Sequence, residues 1–318
     1  MPTNEPEEGI CMDYLEKLGI TDSDIGVILE HDRRYGKGIR ALAAEYMQMI
    51  TDGFMKPYPK GGLETGLKRA DSFLARAKAL DSNGKDDYMT SLLFWLHCVP
   101  YGKEVYRKQG ISEKVFYDTM ADIAFKLAEC KQVYGKCGVF TNWFFLIFEW
   151  KLVALGRLQY QITDFPKDHY EWNGFRLNQG DPVYACHIPS SGKLTEALCM
   201  ESLQQAYDFF KKDLRTSILP VVCNSWLLFP PYVESVFPEG SNMKAFAQLF
   251  DIIDQSGDEG FYDCWRVFGR VYEGTTEGFP CDNTLRRNFI RHIENVGTFG
   301  YGYGVLLYDG EKKQIINR

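Results

Sequence analysis

Residues 182–195 read PVYACHIPSSGKLT, and residues 218–229 read ILPVVCNSWLLF. The apolar runs Val183–Ile188 and Ile218–Leu228 predict two strands, and the periodic apolar positions between them predict a helix over Thr195–Leu214. A short polar turn therefore brings the N-terminus of a helix to the end of a strand. Anions bind well at such a place, because the first N–H groups of a helix lack partners and the helix dipole adds about half a positive charge.

The chain on both sides of this stretch also alternates between strand and helix patterns once it has passed Gly156. Alternation of this kind predicts an α/β or α+β layer built around one sheet. The further predicted elements are strands over Leu158–Thr163, Phe261–Tyr272 and Tyr301–Tyr308, and helices over Ser241–Ser256 and Asp282–Val296.

The first half of the chain has a helical pattern almost throughout residues 12–155. Ser112–Tyr134 places apolar side chains on one face at helical spacing, with Ser112 as the predicted N-cap. Further helices are predicted over Gly38–Phe54, Glu64–Leu80, Asp86–Cys98 and, as a buried helix, Trp143–Leu155. The predicted fold class is thus α+β, with a helical domain over 1–140 followed by an α/β domain over 141–318.

Composition and charge exclude several classes of protein. A chain of 318 residues exceeds the usual size of one domain, so two domains are expected. The net charge of −7 argues against a nucleic-acid-binding protein, which would carry a basic surface. The longest apolar run, Trp143–Leu155, is too short to span a bilayer and contains Glu149 and Lys151, so no membrane partner is expected.

The cysteine content indicates a reducing compartment. The nine cysteines are odd in number and form no CxxC pair, which is typical of reduced thiols in a cytoplasmic protein. No two histidines have the spacing of metal ligands, so no metal is predicted.

The turn at 187–195 is the first candidate site. Its functional interpretation is a phosphate or pyrophosphate site at the start of a helix, and its plain interpretation is a strand-to-helix turn with Thr195 as N-cap. A Walker A loop is excluded, because that motif would need Gly at position 187 and Ser or Thr at position 194.

The end of the second strand is the next candidate. A thiol or hydroxyl at Cys223 or Ser225 could act as a nucleophile or protonate a leaving group, with His187 as a possible base from the neighbouring strand. The plain alternative is a small buried apolar residue at Cys223 and a hydroxyl that bonds a neighbouring strand at Ser225.

Residues 297–304, GTFGYGYG, form a glycine-rich stretch before a strand, where a dinucleotide-binding loop would precede a helix. Alternating glycines on one face of a strand indicate close approach of another backbone, and Tyr301 and Tyr303 then share the other face. A tyrosine acid is possible there, although packing explains the pattern as well.

Together these motifs resemble a bacterial family. The residues that carry the resemblance are His187-Ile188-Pro189, Gly192–Thr195, Cys223-x-Ser225-Trp226-Leu227-Leu228, Pro238–Asn242 and Arg266–Gly269. Members of this family are acyltransferase-domain proteins that have a GNAT-like C-terminal domain behind a helical N-terminal domain. The resemblance covers nearly the whole chain and is strongest between Gly156 and Phe299.

The resemblance implies a GNAT-like domain over 141–318 with a mixed, splayed sheet that holds acyl-CoA or acetyl-CoA between two parallel strands. It also implies transfer of the acyl group to a small-molecule amine. It implies catalytic roles near the thioester for Cys223, Ser225 and His187, and substrate contacts for Asn224 and Trp226. The residues implied for CoA are Ala185, Cys186 and Ile188 along the pantetheine, and Ser190, Ser191, Gly192, Lys193, Leu194 and Thr195 at the pyrophosphate.

Two alternative functions stay open at this point. The turn has only one glycine, Gly192, where the related loops have two, which favours a GNAT-like ligand-binding or sensor protein without turnover. The other alternative is a thioesterase or amidase that uses a Cys223–His187 pair.

Overall fold

The computed structural model describes residues 9–53, 62–80 and 87–318. The chain folds into two compact units, Met1–Val153 and Ala154–Arg318. The sequence predicts a boundary at 140/141, earlier in the chain. The segment between these two positions supplies Phe144, Phe148 and Leu152 to the core of the first unit, which is why that unit extends further.

The described part of the first unit is helical. Its helices are α1 (Met12–Lys17), α2 (Asp22–Gly53), α3 (Gly62–Lys78), α4 (Asp87–Lys108), α5 (Glu113–Met120), α6 (Asp122–Tyr134) and α7 (Phe145–Phe148). Trp95 of α4 is fully buried and stacks on Phe148 with ring centroids 5.5 Å apart. The predicted helical domain is therefore confirmed.

Several helix boundaries differ from the sequence predictions; the helix predicted over 38–54, for example, begins at Asp22. Ser112 caps α5 by accepting the N–H of Val115, as predicted, but the single helix expected over 112–134 is two helices that join at Ala121. Helix α4 continues through Pro100 instead of ending near it, because its buried face extends to Tyr106. The helix predicted over 143–155 is only α7, since Trp150 adopts a left-handed φ of 58° that no α-helix continues through.

The second unit is built on a mixed sheet. Its strands are β1 (Leu152–Leu155), β2 (Leu158–Asp164), β5 (Pro182–His187), β6 (Ile218–Ser225), β7 (Asp251–Asp258), β8 (Phe299–Asp309) and β9 (Gln314–Ile315), and β3 (His169–Trp172) and β4 (Phe175–Asn178) form a separate hairpin. The order in the sheet is β1-β2-β5-β6-β8-β7, with β9 beside β8. Strands β5 and β6 run parallel, whereas β2–β5, β6–β8 and β7–β8 are antiparallel, which confirms the predicted mixed sheet.

The helices of this unit connect the strands. They are α8 (Glu196–Phe210), α9 (Pro230–Ser235), α10 (Asn242–Ala247), α11 (Cys264–Phe268) and α12 (Thr284–Asn295), and a 3₁₀ turn covers Trp226–Leu228. The helix predicted over 282–296 and the strand predicted over 301–308 are confirmed as α12 and β8.

Two predicted elements in this half are wrong. The helix expected over 241–256 ends at Ala247 and is followed by β7, because the backbone of this segment pairs with β8. The strand expected over 261–272 contains α11, which Gly269 ends with a left-handed φ of 70°. The hairpin of β3 and β4 was not predicted at all.

The alternating glycines of β8 confirm the expected close approach. A Cβ atom at Gly302 would lie 2.0 Å from the carbonyl oxygen of Leu228, and one at Gly300 would lie 2.2 Å from that of Ser256. Only glycine fits where two backbones come this close. The glycines thus allow the segment after β6 to lie directly on β8, while Tyr303 faces the other side.

Candidate functional site

The sheet opens between its two parallel strands. The ladder of β5 with β6 covers only the pairs Tyr184–Val221 and Ala185–Val222, whereas β6 pairs with β8 over eight residues up to Ser225. Strand β5 continues to His187 beyond the last pair. The backbone of the two strands past this ladder is therefore available to a ligand that lies between them, at their carboxyl ends.

The polar turn after β5 leads directly from this opening into a helix. Thr195 is the N-cap of α8, and its side chain accepts the N–H of Leu198 at 3.3 Å, as the sequence predicts. Gly192 has a φ of 107°, a conformation that residues with a side chain rarely adopt. Helix α8 has 15 residues, so its dipole is fully developed, and the polar turn connects its positive end to the carboxyl end of β5.

Arg157, in the turn between β1 and β2, forms hydrogen bonds to this polar turn. Its guanidinium donates to the carbonyl oxygens of Lys193 at 2.9 Å, Pro189 at 3.0 Å and Gly192 at 3.1 Å, and to the hydroxyl of Ser191 at 3.2 Å. Sequence analysis missed Arg157, because one arginine between two strands carries no pattern that distinguishes it from a surface residue.

A buried hydroxyl fixes the same β1–β2 turn to α8. Ser202 donates to the carbonyl of Leu155, accepts the N–H of Leu158 at 3.1 Å and lies 3.0 Å from the hydroxyl of Tyr160. The turn that carries Arg157 therefore has a defined position relative to the start of α8.

Cys223 and His187 lie on opposite faces of the sheet. Val222 packs in the core on one face together with Val183, and since neighbours along a strand alternate, Cys223 points to the other face with Cys186. The hydrogen bond between these two thiols, together with burial, raises the pKa of Cys186 well above its usual value.

His187 has a different partner from the one that a thiol nucleophile would need. Its Nε2 lies 2.9 Å from the side-chain oxygen of Gln161 on β2. The structure therefore does not assemble the Cys223–His187 pair of the thioesterase or amidase alternative, because alternation along the strands separates the two side chains.

The remaining candidates at the end of β6 differ in accessibility. Ser225 is buried, and its hydroxyl accepts the N–H of Leu227 at 3.2 Å, which starts the 3₁₀ turn. Trp226 is half-buried and packs against Phe237 and Phe289. Asn224 is exposed, so of these three side chains it is the one that a ligand in the opening reaches most directly.

Tyr303 lies opposite Asn224 in the ladder of β6 with β8. Its hydroxyl is buried and has no hydrogen-bond partner among the described residues, and burial raises its pKa above the usual value. Lys167 lies over its ring at 5.2 Å. Tyr303 therefore has a neutral hydroxyl that can donate a proton. Its side chain lies on the same face of the sheet as those of His187 and Asn224.

No metal centre accompanies this site in the part of the chain that the structure describes. Within residues 9–53, 62–80 and 87–318, no group of three or more His, Cys, Asp or Glu side chains is placed to hold an ion. Over the same ranges, no helix has the length and apolar character needed to cross a membrane.

Both halves of the chain match known domain families. Residues 11–150 match the N-acyltransferase N-terminal domain, and residues 152–306 match the GNAT-like C-terminal domain. The mixed sheet that opens between its parallel strands is thus a GNAT-like fold. The chain belongs to the family of acyltransferases in which these two domains follow one another. A comparison with curated proteins found no match.

Several solved structures have the same fold. They include an acyltransferase in complex with decanoyl-CoA and teicoplanin at 21% identity, a mutant acyltransferase in complex with octanoyl-CoA at 20%, and an acyltransferase in complex with CoA and 10C-teicoplanin at 20%. Each similarity covers 92% of this chain and 98% of the other, with a TM-score of 0.58.

Proposed function

We propose that this protein is an acyl-CoA-dependent N-acyltransferase that transfers an acyl group to a small-molecule amine. The observation that carries the proposal is the two-pair ladder between β5 and β6, which ends beside the N-terminus of α8. CoA consists of an extended thioester arm joined to an anionic diphosphate. In this chain, the opening between β5 and β6 is likewise followed by the start of α8.

The CoA would follow the chain from β5 into the turn. Its pantetheine amides would bond to the backbone of Ala185, Cys186 and Ile188 as an added strand does. Its diphosphate would lie against the N–H groups at the helix start, within the segment formed by Ser190, Ser191, Gly192, Lys193, Leu194 and Thr195.

The acyl transfer forms one C–N bond and breaks one C–S bond. The amine nitrogen attacks the thioester carbonyl, a C–N bond forms, the C–S bond breaks, and the amine loses a proton while the CoA thiolate gains one. Tyr303 would donate the proton to the thiolate, because its buried hydroxyl is neutral and has no hydrogen-bond partner among the described residues.

The proton from the amine would leave through His187. Nε2 of His187 lies 2.9 Å from the side-chain oxygen of Gln161, which orients the ring that would receive this proton. Asn224 and Trp226 would contact the acceptor, and Ser225 and Cys223 would border the thioester without forming a covalent intermediate.

The acceptor is proposed only as a class. A structural neighbour holds teicoplanin together with decanoyl-CoA, so a glycopeptide amine belongs in any panel of acceptors. The net charge of −7 favours a cationic amine by long-range attraction. We place the protein in the cytoplasm, a proposal supported by the odd number of cysteines.

Calorimetry and a thiol-release assay test the proposal. Titration with CoA, acetyl-CoA, octanoyl-CoA and decanoyl-CoA should show saturable binding, and one or more amines should release free CoA faster than the hydrolysis background. Absence of binding up to millimolar CoA would overturn the proposal.

A ligand-binding protein without turnover is the second candidate. It is favoured by the side chains at the end of β6, where the Cys223 thiol is hydrogen-bonded to that of Cys186 and the Ser225 hydroxyl caps the following turn. If CoA binds but no amine in the panel releases thiol above background, this second function replaces the first.

A further inference from the structure

Arg157 is a buried cation that has no ionic partner in the part of the chain that the structure describes. The residue is 9% exposed, and its four hydrogen bonds all go to uncharged oxygen atoms, three of them backbone carbonyls. Among the described residues it forms no ion pair. An uncompensated charge at this depth costs several kcal/mol, so its retention needs an explanation.

The bonds of Arg157 determine where the N–H groups of the turn point. In a planar trans peptide, the carbonyl of one residue and the N–H of the next point in opposite directions. Since the carbonyls of Gly192 and Lys193 point inward to the guanidinium, the N–H groups of Lys193 and Leu194 point away from it. Neither N–H donates to an acceptor in the described part of the chain.

We infer that Arg157 is a positioning residue for the diphosphate of CoA, an inference that rests on the proposed function. The guanidinium orders the turn so that its N–H groups face the ligand, and its charge adds to the positive end of α8. Arg157 does not touch the phosphates itself. The bound diphosphate supplies, across the turn, the negative charge that the described residues do not place beside Arg157.

The test compares two acyl donors that share the thioester arm, of which one carries the diphosphate with its 3′-phosphoadenosine and the other carries neither. Acetyl-CoA carries the diphosphate, and S-acetyl-pantetheine has the same thioester arm without it. Binding of both is measured by calorimetry, and turnover of both by thiol release, for the wild type and for Arg157→Gln.

Arg157→Gln should raise the Kd and KM for acetyl-CoA about tenfold to a hundredfold, the scale of losing hydrogen bonds from a charged group. Its kcat at saturating acetyl-CoA and its KM for S-acetyl-pantetheine should not change. Arg157→Lys keeps the charge but cannot reach all the carbonyls, so its effect should be intermediate. Arg176→Gln, in the β3–β4 hairpin, is the matched control and should behave as the wild type.

Ser191→Ala removes one acceptor of Arg157 and provides a variant in case Arg157→Gln fails to fold. It should weaken acetyl-CoA binding by a smaller factor, with S-acetyl-pantetheine unaffected. Equal losses for both donors, or no loss for acetyl-CoA, would overturn the inference while the proposed function stands. A wild type that binds no CoA would overturn both.

Discussion

At the scale of single residues, Glu149 is a buried carboxyl group whose ionisation affects stability below neutral pH. Its side chain is buried, accepts from Arg69 at 2.7 Å and from the Tyr46 hydroxyl at 3.3 Å, and packs close to Gly66. Burial raises the pKa of Glu149 to about 7 from an ordinary value of 4.5, against the opposing effects of the Tyr46 hydrogen bond and the charge of Lys151. The folded state therefore holds a proton that the unfolded chain has already released.

This shift predicts that stability falls as the pH rises. Between about pH 4.5 and about pH 7 the folded state binds more protons than the unfolded state, so the free energy of unfolding decreases by up to about 1.4 kcal/mol per pH unit. Glu149→Gln should flatten this part of the profile, measured by urea unfolding at pH 5, 6, 7 and 8. Glu64→Gln, at an exposed site on α3, is the control. An unchanged slope in Glu149→Gln would assign the dependence to another group.

Tyr303→Phe tests the proton donor. Because the hydroxyl acts only when the thiolate leaves, the variant should lower kcat about a hundredfold and leave the Kd for CoA unchanged. Tyr301→Phe is the matched control on the same face of β8, since the Tyr301 hydroxyl donates to a carboxylate oxygen of Asp263 at 3.1 Å. Full activity of Tyr303→Phe would remove Tyr303 from the mechanism.

At the scale of elements, the contact of β8 with the 3₁₀ turn is the closest packing in the second unit. Gly302→Ala places a Cβ 2.0 Å from the Leu228 carbonyl oxygen, and neither backbone can move without breaking the ladder of β6 with β8. We expect a loss of about 2 kcal/mol or more in the free energy of unfolding.

The control for this substitution is Gly257→Ala in β7, where the nearest atom to the added Cβ is the Phe299 carbonyl oxygen at 4.0 Å. Urea unfolding of both variants and the wild type provides the comparison. Equal free energies of unfolding for Gly302→Ala and Gly257→Ala would mean that the 3₁₀ turn moves away from β8 more easily than its backbone contacts indicate.

Elements were predicted well where one local pattern dominated and poorly where two patterns competed. Helix α12 and strand β8 follow directly from apolar spacing. The segment 241–256 has helical spacing throughout, yet its second half is β7, because pairing with β8 satisfies more backbone groups than one further helical turn would. Each strand of the β3–β4 hairpin has four residues, and a pattern this short does not predict a strand from the sequence.

At the scale of the whole molecule, binding of CoA to the folded chain predicts a shift in thermal stability. A ligand at a hundred times its Kd stabilises the folded state by about 2.7 kcal/mol. The Tm of the full chain should therefore rise with the logarithm of CoA concentration, measured by differential scanning fluorimetry. S-acetyl-pantetheine should raise the Tm less at equal concentration, because it lacks the diphosphate. No shift at millimolar CoA would argue against a CoA site.

The sequence by itself determined the succession of a helical domain and a mixed-sheet domain, and it located the strand, turn and helix around residues 182–229. These features depend on local periodicity and capping, as at Thr195, which neighbouring residues alone decide. Only the tertiary structure decided which side chains act together. It separated Cys223 from His187, because strand alternation places them on opposite faces. It brought Arg157 to a turn more than thirty residues away, because sheet order and strand register set contacts that no local pattern encodes.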